Sequence, residues 1–265
     1  MAPTMPPGRP GNLTPEQTEK LKEMWHATLE VFGVLKDEPH SAATNGASTS
    51  STAGSTDEKK KRKLRFSVLG KKGKDSGSAS AGSESGNDKH GQTKEFEQAL
   101  ASQPPEELRK AFWSMAKHDH PDALLLRFLR ARKWDVHAAL VMLVSTMHWR
   151  SQEMHVDDQI MWNGEEHALK ESKSSDAAAK KEGEDFLAQL RMGKSFLHGT
   201  DKEGRPCCYV RVKLHKQGEQ TEKSLEQLTV YTIENARMLL RPPIDTAVSH
   251  ALANYPSNTT KPFIR

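Results

Sequence analysis

Residues 124–136 read Leu124-Leu125-Leu126-Arg127-Phe128-Leu129-Arg130-Ala131-Arg132-Lys133-Trp134-Asp135-Val136. Leu124, Leu125, Phe128 and Leu129 recur at the spacing of one helical face, with Asp122 placed to cap its start. Asp135 is placed to cap a second helix, on which Ala139, Met142, Leu143, Thr146 and Met147 follow the same period. With only Lys133-Trp134 between them, the two are predicted to run antiparallel, and Arg127, Arg130 and Arg132 fall toward the wet side of the first.

Upstream, Pro104-Pro105 precedes a predicted helix with Leu108, Phe112, Met115 and Ala116 on one face, halted near His118-Asp119-His120-Pro121. A short polar turn before proline explains that His-Asp-His cluster better than a metal site, because no further ligands follow at compatible spacing. Farther back, Thr14-Pro15-Glu16-Gln17 has the form of a capping box opening a helix with Leu21, Met24, Trp25, Thr28, Leu29 and Phe32 on one stripe, over 13–35. A single amphipathic helix is marginal in water, so this stripe is expected to dock. Residues 1–12 and 36–93 are expected to be disordered. All sixteen residues from Ser41 to Thr56 are Ser, Thr, Ala, Gly or Asn, too little apolar surface to offset chain entropy. Within the insertion, nine of the sixteen residues from Lys59 to Lys74 are basic, among them Lys59, Lys60, Lys61, Arg62, Lys63 and Arg65. Such a run is an anionic-membrane contact, a nuclear import signal or a solvated charge run.

Downstream, 165–190 reads as a polar linker, since Glu171 to Gly183 carries almost no large apolar residue. Ser195 to Thr200 and Arg205 to Val212 have strand character, and Asp201-Lys202-Glu203-Gly204 between them predicts a hairpin. Ser224 and Gln227 resemble a capping box opening a helix with Leu225, Leu228, Thr232, Ala236 and Leu239 on one face, ended by Pro242-Pro243. Residues 248–265 read as a polar, divergent tail with no buried strand.

The composition bounds the rest. Over 265 residues the hydrophobic fraction is 35% and the mean hydropathy −0.76, low for a fully packed globule. A net charge of +4, from 39 basic and 35 acidic residues, is too balanced to name a polyanion partner. The longest apolar run, Ala138 to Val144, is far short of a membrane span, and the start lacks the apolar core of a secretory signal. The two cysteines, Cys207 and Cys208, are adjacent, which suits a reducing compartment better than a disulfide framework.

The segment from Leu124 to Val136, continuing through Ala139 to Trp149-Arg150, resembles the N-terminal helical module of CRAL-TRIO proteins. Gly199-Thr200-Asp201-Lys202-Glu203-Gly204-Arg205-Pro206, followed by Tyr209-Val210-Arg211-Val212, resembles the first hairpin of the CRAL-TRIO lipid domain. The early Leu13 to Gln17 helix with Met24-Trp25 and Val31-Phe32-Gly33 resembles the fungal phosphatidylinositol-transfer branch. This resemblance implies an α/β fold: a helical CRAL-TRIO N-terminal module over 94–164, then the first part of an α/β lipid-binding domain over 191–247. Only 61 residues follow Gly204, so the expectation is a C-terminally truncated, incomplete domain with exposed apolar surface.

The resemblance also implies phospholipid binding and intermembrane transfer, with phosphatidylinositol as partner, in the cytoplasm with transient contact to anionic membrane. It places Arg132, with Lys133 beside it, at the headgroup phosphate, a role that suits a guanidinium fork. Strand alternation separates Cys207, Tyr209 and Arg211 from Cys208, Val210 and Val212. Either face could line an acyl pocket, with Tyr209, Val210 and Val212 the candidates, or pack on the following helix. No enzyme, cofactor or metal is expected. Gly193-Lys194-Ser195 resembles the end of a phosphate-binding loop, but Ala188 stands where that loop needs glycine. Esterase elbow, zinc-protease and cysteine-metal patterns are not found in the sequence. The alternatives are an interaction protein or nonfunctional truncated product, and nuclear or nucleic-acid binding through Lys59 to Lys74. A nucleic-acid partner is not expected, because aromatic stacking platforms and a known recognition fold are lacking.

Overall fold

The computed structural model describes residues 5–35 and 92–252. Eight α-helices and three strands follow in the order α1 (Pro15–Val31), α2 (Gln92–Ser102), α3 (Pro105–Ala116), α4 (Pro121–Ala131), α5 (Val136–His148), α6 (Gly164–Glu171), α7 (Ala177–Arg191), β1 (Ser195–Thr200), β2 (Pro206–Val210), α8 (Glu222–Met238) and β3 (Val248–Ala251). Helix α5 runs on into two short π-helical segments, Trp149–Glu153 and Val156–Met161.

Helices α1 to α5 enclose one core. Leu125, Leu126, Leu129, Leu140, Leu143 and Phe112 in it are fully buried. The stripe of α1 docks there: Trp25 and Phe32 both pack on Phe112, with ring centroids 5.9 and 5.4 Å apart, and the Trp25 indole N–H donates to Asp122 at 2.7 Å. Caps fix the boundaries. Thr14 and Gln17 form the reciprocal capping box, and Asp135 accepts from the Ala138 N–H. At α4 the cap is His120 rather than Asp122, because the helix begins at Pro121, two residues before the start that a cap at Asp122 would set. At α8 it is Thr221, which accepts from Ser224 N–H, so Ser224 lies inside the first turn.

Three expectations change. The stretch 165–190, expected as a polar linker, is mostly helical, in α6 and α7. Its helices pack through small residues, and a Cβ on Gly183 would stand 2.5 Å from the Ala168 carbonyl oxygen, so α6 and α7 can cross this closely only at glycine. Phe186, Leu187 and Ala168 then form a second core with Leu228 of α8. The tail from 248 opens with a strand, β3, which lies parallel to β2 with Cys207 opposite Val248 and Val210 opposite Ala251. Residues 5–12 take a defined turn, in which Gly8 N–H donates to Asn12 and Arg9 reaches Asp245 at 3.0 Å. The basic run at 59–74 lies outside the described residues.

Strands β1 and β2 form the expected antiparallel hairpin, with Phe196 opposite Tyr209 and Leu197 opposite Cys208. The Gly204 φ of 81° closes its turn, and β2 is the central strand of the sheet β1-β2-β3.

Candidate functional site

Helix α8 crosses one face of this sheet without closing against it. The gap is a groove of about 700 Å³. Its floor is Cys208 and Val210 from β2 with Ser249 from β3, and its opposite wall is Leu225, Leu228, Thr232, Ile233 and Ala236 from α8. Those α8 residues recur at three and four positions, which is why one face of the helix presents an apolar strip along the groove. Each end carries basic side chains. Arg127 and Arg237, with Asp245 beside them, stand at the C-terminal end of α8, and Lys194 and Arg211, with His215, at its N-terminal end.

Ion pairs tie the first end to the helical module. Asp119 accepts from Arg127 at 2.8 Å and from Arg237 at 3.0 Å, and Arg237 also donates to the Met115 carbonyl. Glu234, 5% exposed, takes both terminal nitrogens of Arg150 and is approached by Lys117 at 3.3 Å. Burial pushes the Glu234 carboxyl up. The Arg150 hydrogen bonds and charge, with Arg237 and Lys117, outweigh it and hold the carboxyl at about 2. Asp245 joins Arg9 at 3.0 Å and Arg130 at 2.8 Å, so Arg130 fastens the N-terminal turn to the groove's edge instead of standing in solvent.

The structure separates the residues singled out from the sequence. Val210 and Val212 line the groove, Val212 at its exposed mouth. Tyr209 points from the other face of the sheet, stacked between Phe196 and His250 at 5.4 and 5.2 Å. Arg132 sits at the C-cap of α4 and donates to Gln92 at 2.7 Å, and Lys133 lies exposed in the α4–α5 turn with a φ of 52°. Neither is brought to the groove; Arg127 of the same helix is. Asp119, expected only in a polar turn, is the acceptor for two arginines. Glu234, Arg237 and Asp245 had no local signal, since each takes its meaning from residues distant in sequence or from burial, and Lys194 stood out only in the phosphate-loop match that Ala188 rules out.

Two family models match the chain: the CRAL/TRIO N-terminal domain over residues 92–145, and the CRAL/TRIO domain over 190–249. The chain belongs to the CRAL-TRIO family. Among its relatives, a CRAL-TRIO domain-containing protein of Schizosaccharomyces pombe is 40% identical over 91% of this chain and 52% of its own length. The phosphatidylinositol transfer protein CSR1 of Eremothecium gossypii is 32% identical over 93% of this chain and 58% of its own length. Patellin-3 of Arabidopsis thaliana is 29% identical over 52% of this chain and 22% of its own. The chain thus spans a little over half the length of the first two. The first family match covers α2 to α5, and the second covers the hairpin, α8 and the start of β3.

Proposed function

We propose that this chain binds a phospholipid and carries it between membranes, with the acyl chains in the groove between α8 and the sheet. The observation that carries this reading is the groove itself: an apolar trough of about 700 Å³ with basic side chains at both ends, a form that suits an amphiphile with an anionic group. The name of the 32% identical relative favours phosphatidylinositol as the cargo. Carriage needs no bond to be made or broken, so the function is binding rather than catalysis. The basic run at Lys59 to Lys74 would hold the protein transiently on anionic membrane from the cytoplasmic side. No helix among the described residues is long and apolar enough to cross a bilayer, which fits peripheral contact.

The test is to fill the trough. The wild-type chain should take up fluorescent phosphatidylinositol from donor vesicles and deliver it to acceptors. Val210→Trp, which places an indole on the groove floor, should lower that transfer by about tenfold or more with helical content unchanged. Transfer by Val210→Trp at the wild-type rate, or none by the wild type, refutes the reading.

A further inference from the structure

Lys194 stands in the groove wall where β1 begins, 4% exposed. Its ammonium donates to the Gln189 side-chain oxygen at 2.9 Å and to that of Gln220 at 3.0 Å. An ammonium has three hydrogens to place, and these two bonds leave one unassigned. Among the described residues no carboxylate lies within ion-pair distance of it. The acid that bears on it most, Glu219, is itself paired with Lys216 at 2.9 Å. Burial lowers the Lys194 pKa, and the Glu219 charge opposes this only in part. The amide oxygens that solvate Lys194 are held in turn: Gln189 donates to the Ser224 hydroxyl at 3.0 Å, and Ser224 to the Thr221 carbonyl at 2.8 Å.

The remaining cations of the groove are placed differently. Arg127 and Arg237 share Asp119, and Arg237 lies 3.5 Å from Glu234 as well. Arg211 is exposed and donates to the Met192 carbonyl. Among the described residues, Lys194 is therefore the buried positive charge of the groove with no carboxylate in ion-pair contact. A buried charge without one is unfavourable, and an anion arriving beside it removes that penalty.

We propose, building on the reading of the groove as a lipid site, that Lys194 binds the phosphate of the molecule in the groove and so sets its direction. The anionic group lies at the N-terminal end of α8. The chains run from Leu225 toward Ala236, a helical distance of roughly 16 Å.

Two short-chain lipids that differ only in a phosphate test this on the full chain by calorimetry: dioctanoylphosphatidic acid and dioctanoylglycerol. The wild type should prefer the phosphatidic acid by at least about tenfold, the scale of one charge-assisted hydrogen bond. Lys194→Met should bind dioctanoylglycerol as the wild type does and lose most of that preference. A preference kept by Lys194→Met overturns the proposal and leaves Lys194 a structural residue. Should Lys194→Met bind neither lipid, Lys194→Arg decides: a restored preference upholds the anion site, and loss of both lipids overturns it. Inorganic phosphate separates the two readings. If the wild type binds phosphate through Lys194 but neither lipid, the anion site stands and the lipid reading fails. If the wild type binds both lipids equally, the lipid reading stands and the anion site fails.

Discussion

Arg150 presents its two terminal nitrogens to the two carboxylate oxygens of Glu234, at 2.7 and 3.0 Å, across the seam between the helical module and α8. Both are nearly fully buried. The pair fixes where α8, and with it the apolar wall of the groove, stands relative to the helical module. Removing Glu234 leaves Arg150 with Asp157 as its remaining partner and takes one carboxylate from Lys117 and Arg237, so Glu234→Leu should destabilise by roughly 1–3 kcal/mol. Replacing both by apolar residues, Arg150→Met with Glu234→Leu, should recover most of that loss. Urea unfolding of the wild type, Arg150→Met, Glu234→Leu and the double variant checks it, and an additive double variant would show that the two residues do not act as a pair.

The same carboxylate predicts an acid limb. In the unfolded chain it titrates near its ordinary 4.5; in the fold it is held at about 2. A folded value below the unfolded one means the unfolded chain binds the proton more readily. The stabilisation is therefore complete above about 4.5 and is lost as the pH falls through about 2. Its size is roughly 3 kcal/mol, at about 1.4 kcal/mol for each tenfold change in proton affinity. Unfolding free energies measured from pH 5 down to pH 2 should fall steeply for the wild type, and less for Glu234→Gln.

The parts of the fold that were legible in the sequence are those set by local rules. The α4–α5 pair follows from apolar spacing and the Asp135 cap, α1 from the Thr14 box, and the hairpin from a turn that ends in Gly204. Helices α6 and α7 were hidden because they meet at Ala168 and Gly183, and small residues give little apolar contrast. Strand β3 was hidden because it is short and its outer residues are exposed, so no continuous apolar run marks it. The groove was half legible. Alternation divides Val210 from Tyr209, but only the position of α8 decides which face becomes the wall. The ionic seam was not legible at all, since Arg150 and Glu234 are 84 residues apart and Lys117 and Glu234 are 117 apart.

Arg132 offers a direct contrast between the family resemblance and the geometry. Its guanidinium is held by Gln92, away from the groove. Arg132→Ala should therefore leave phosphatidylinositol transfer within about twofold of wild type, since the lost contact is a single hydrogen bond outside the groove. A headgroup phosphate at the α4–α5 turn would instead require a loss of about tenfold or more, the scale of a charge-assisted bond. Measuring transfer of phosphatidylinositol and of a lipid with no net headgroup charge separates loss of a headgroup contact, which affects only the first, from a general defect.

The basic run gives the last prediction, and it is electrostatic. Each lysine or arginine near an anionic bilayer contributes about 1 kcal/mol, and the attraction falls off within a Debye length. The chain should bind vesicles containing phosphatidylserine and not vesicles of neutral lipid alone. Raising the salt to about 0.5 M, where the Debye length is only a few ångströms, should release it. Replacing Lys59, Lys60, Lys61, Arg62, Lys63 and Arg65 with glutamine should weaken vesicle binding by about 100-fold or more, even if only half of the expected attraction is realised. None of the residues that line the groove is among those replaced, so uptake of dioctanoylphosphatidic acid from solution should not move. Vesicle binding that persists in the glutamine variant, or that ignores salt, would assign membrane contact to another surface.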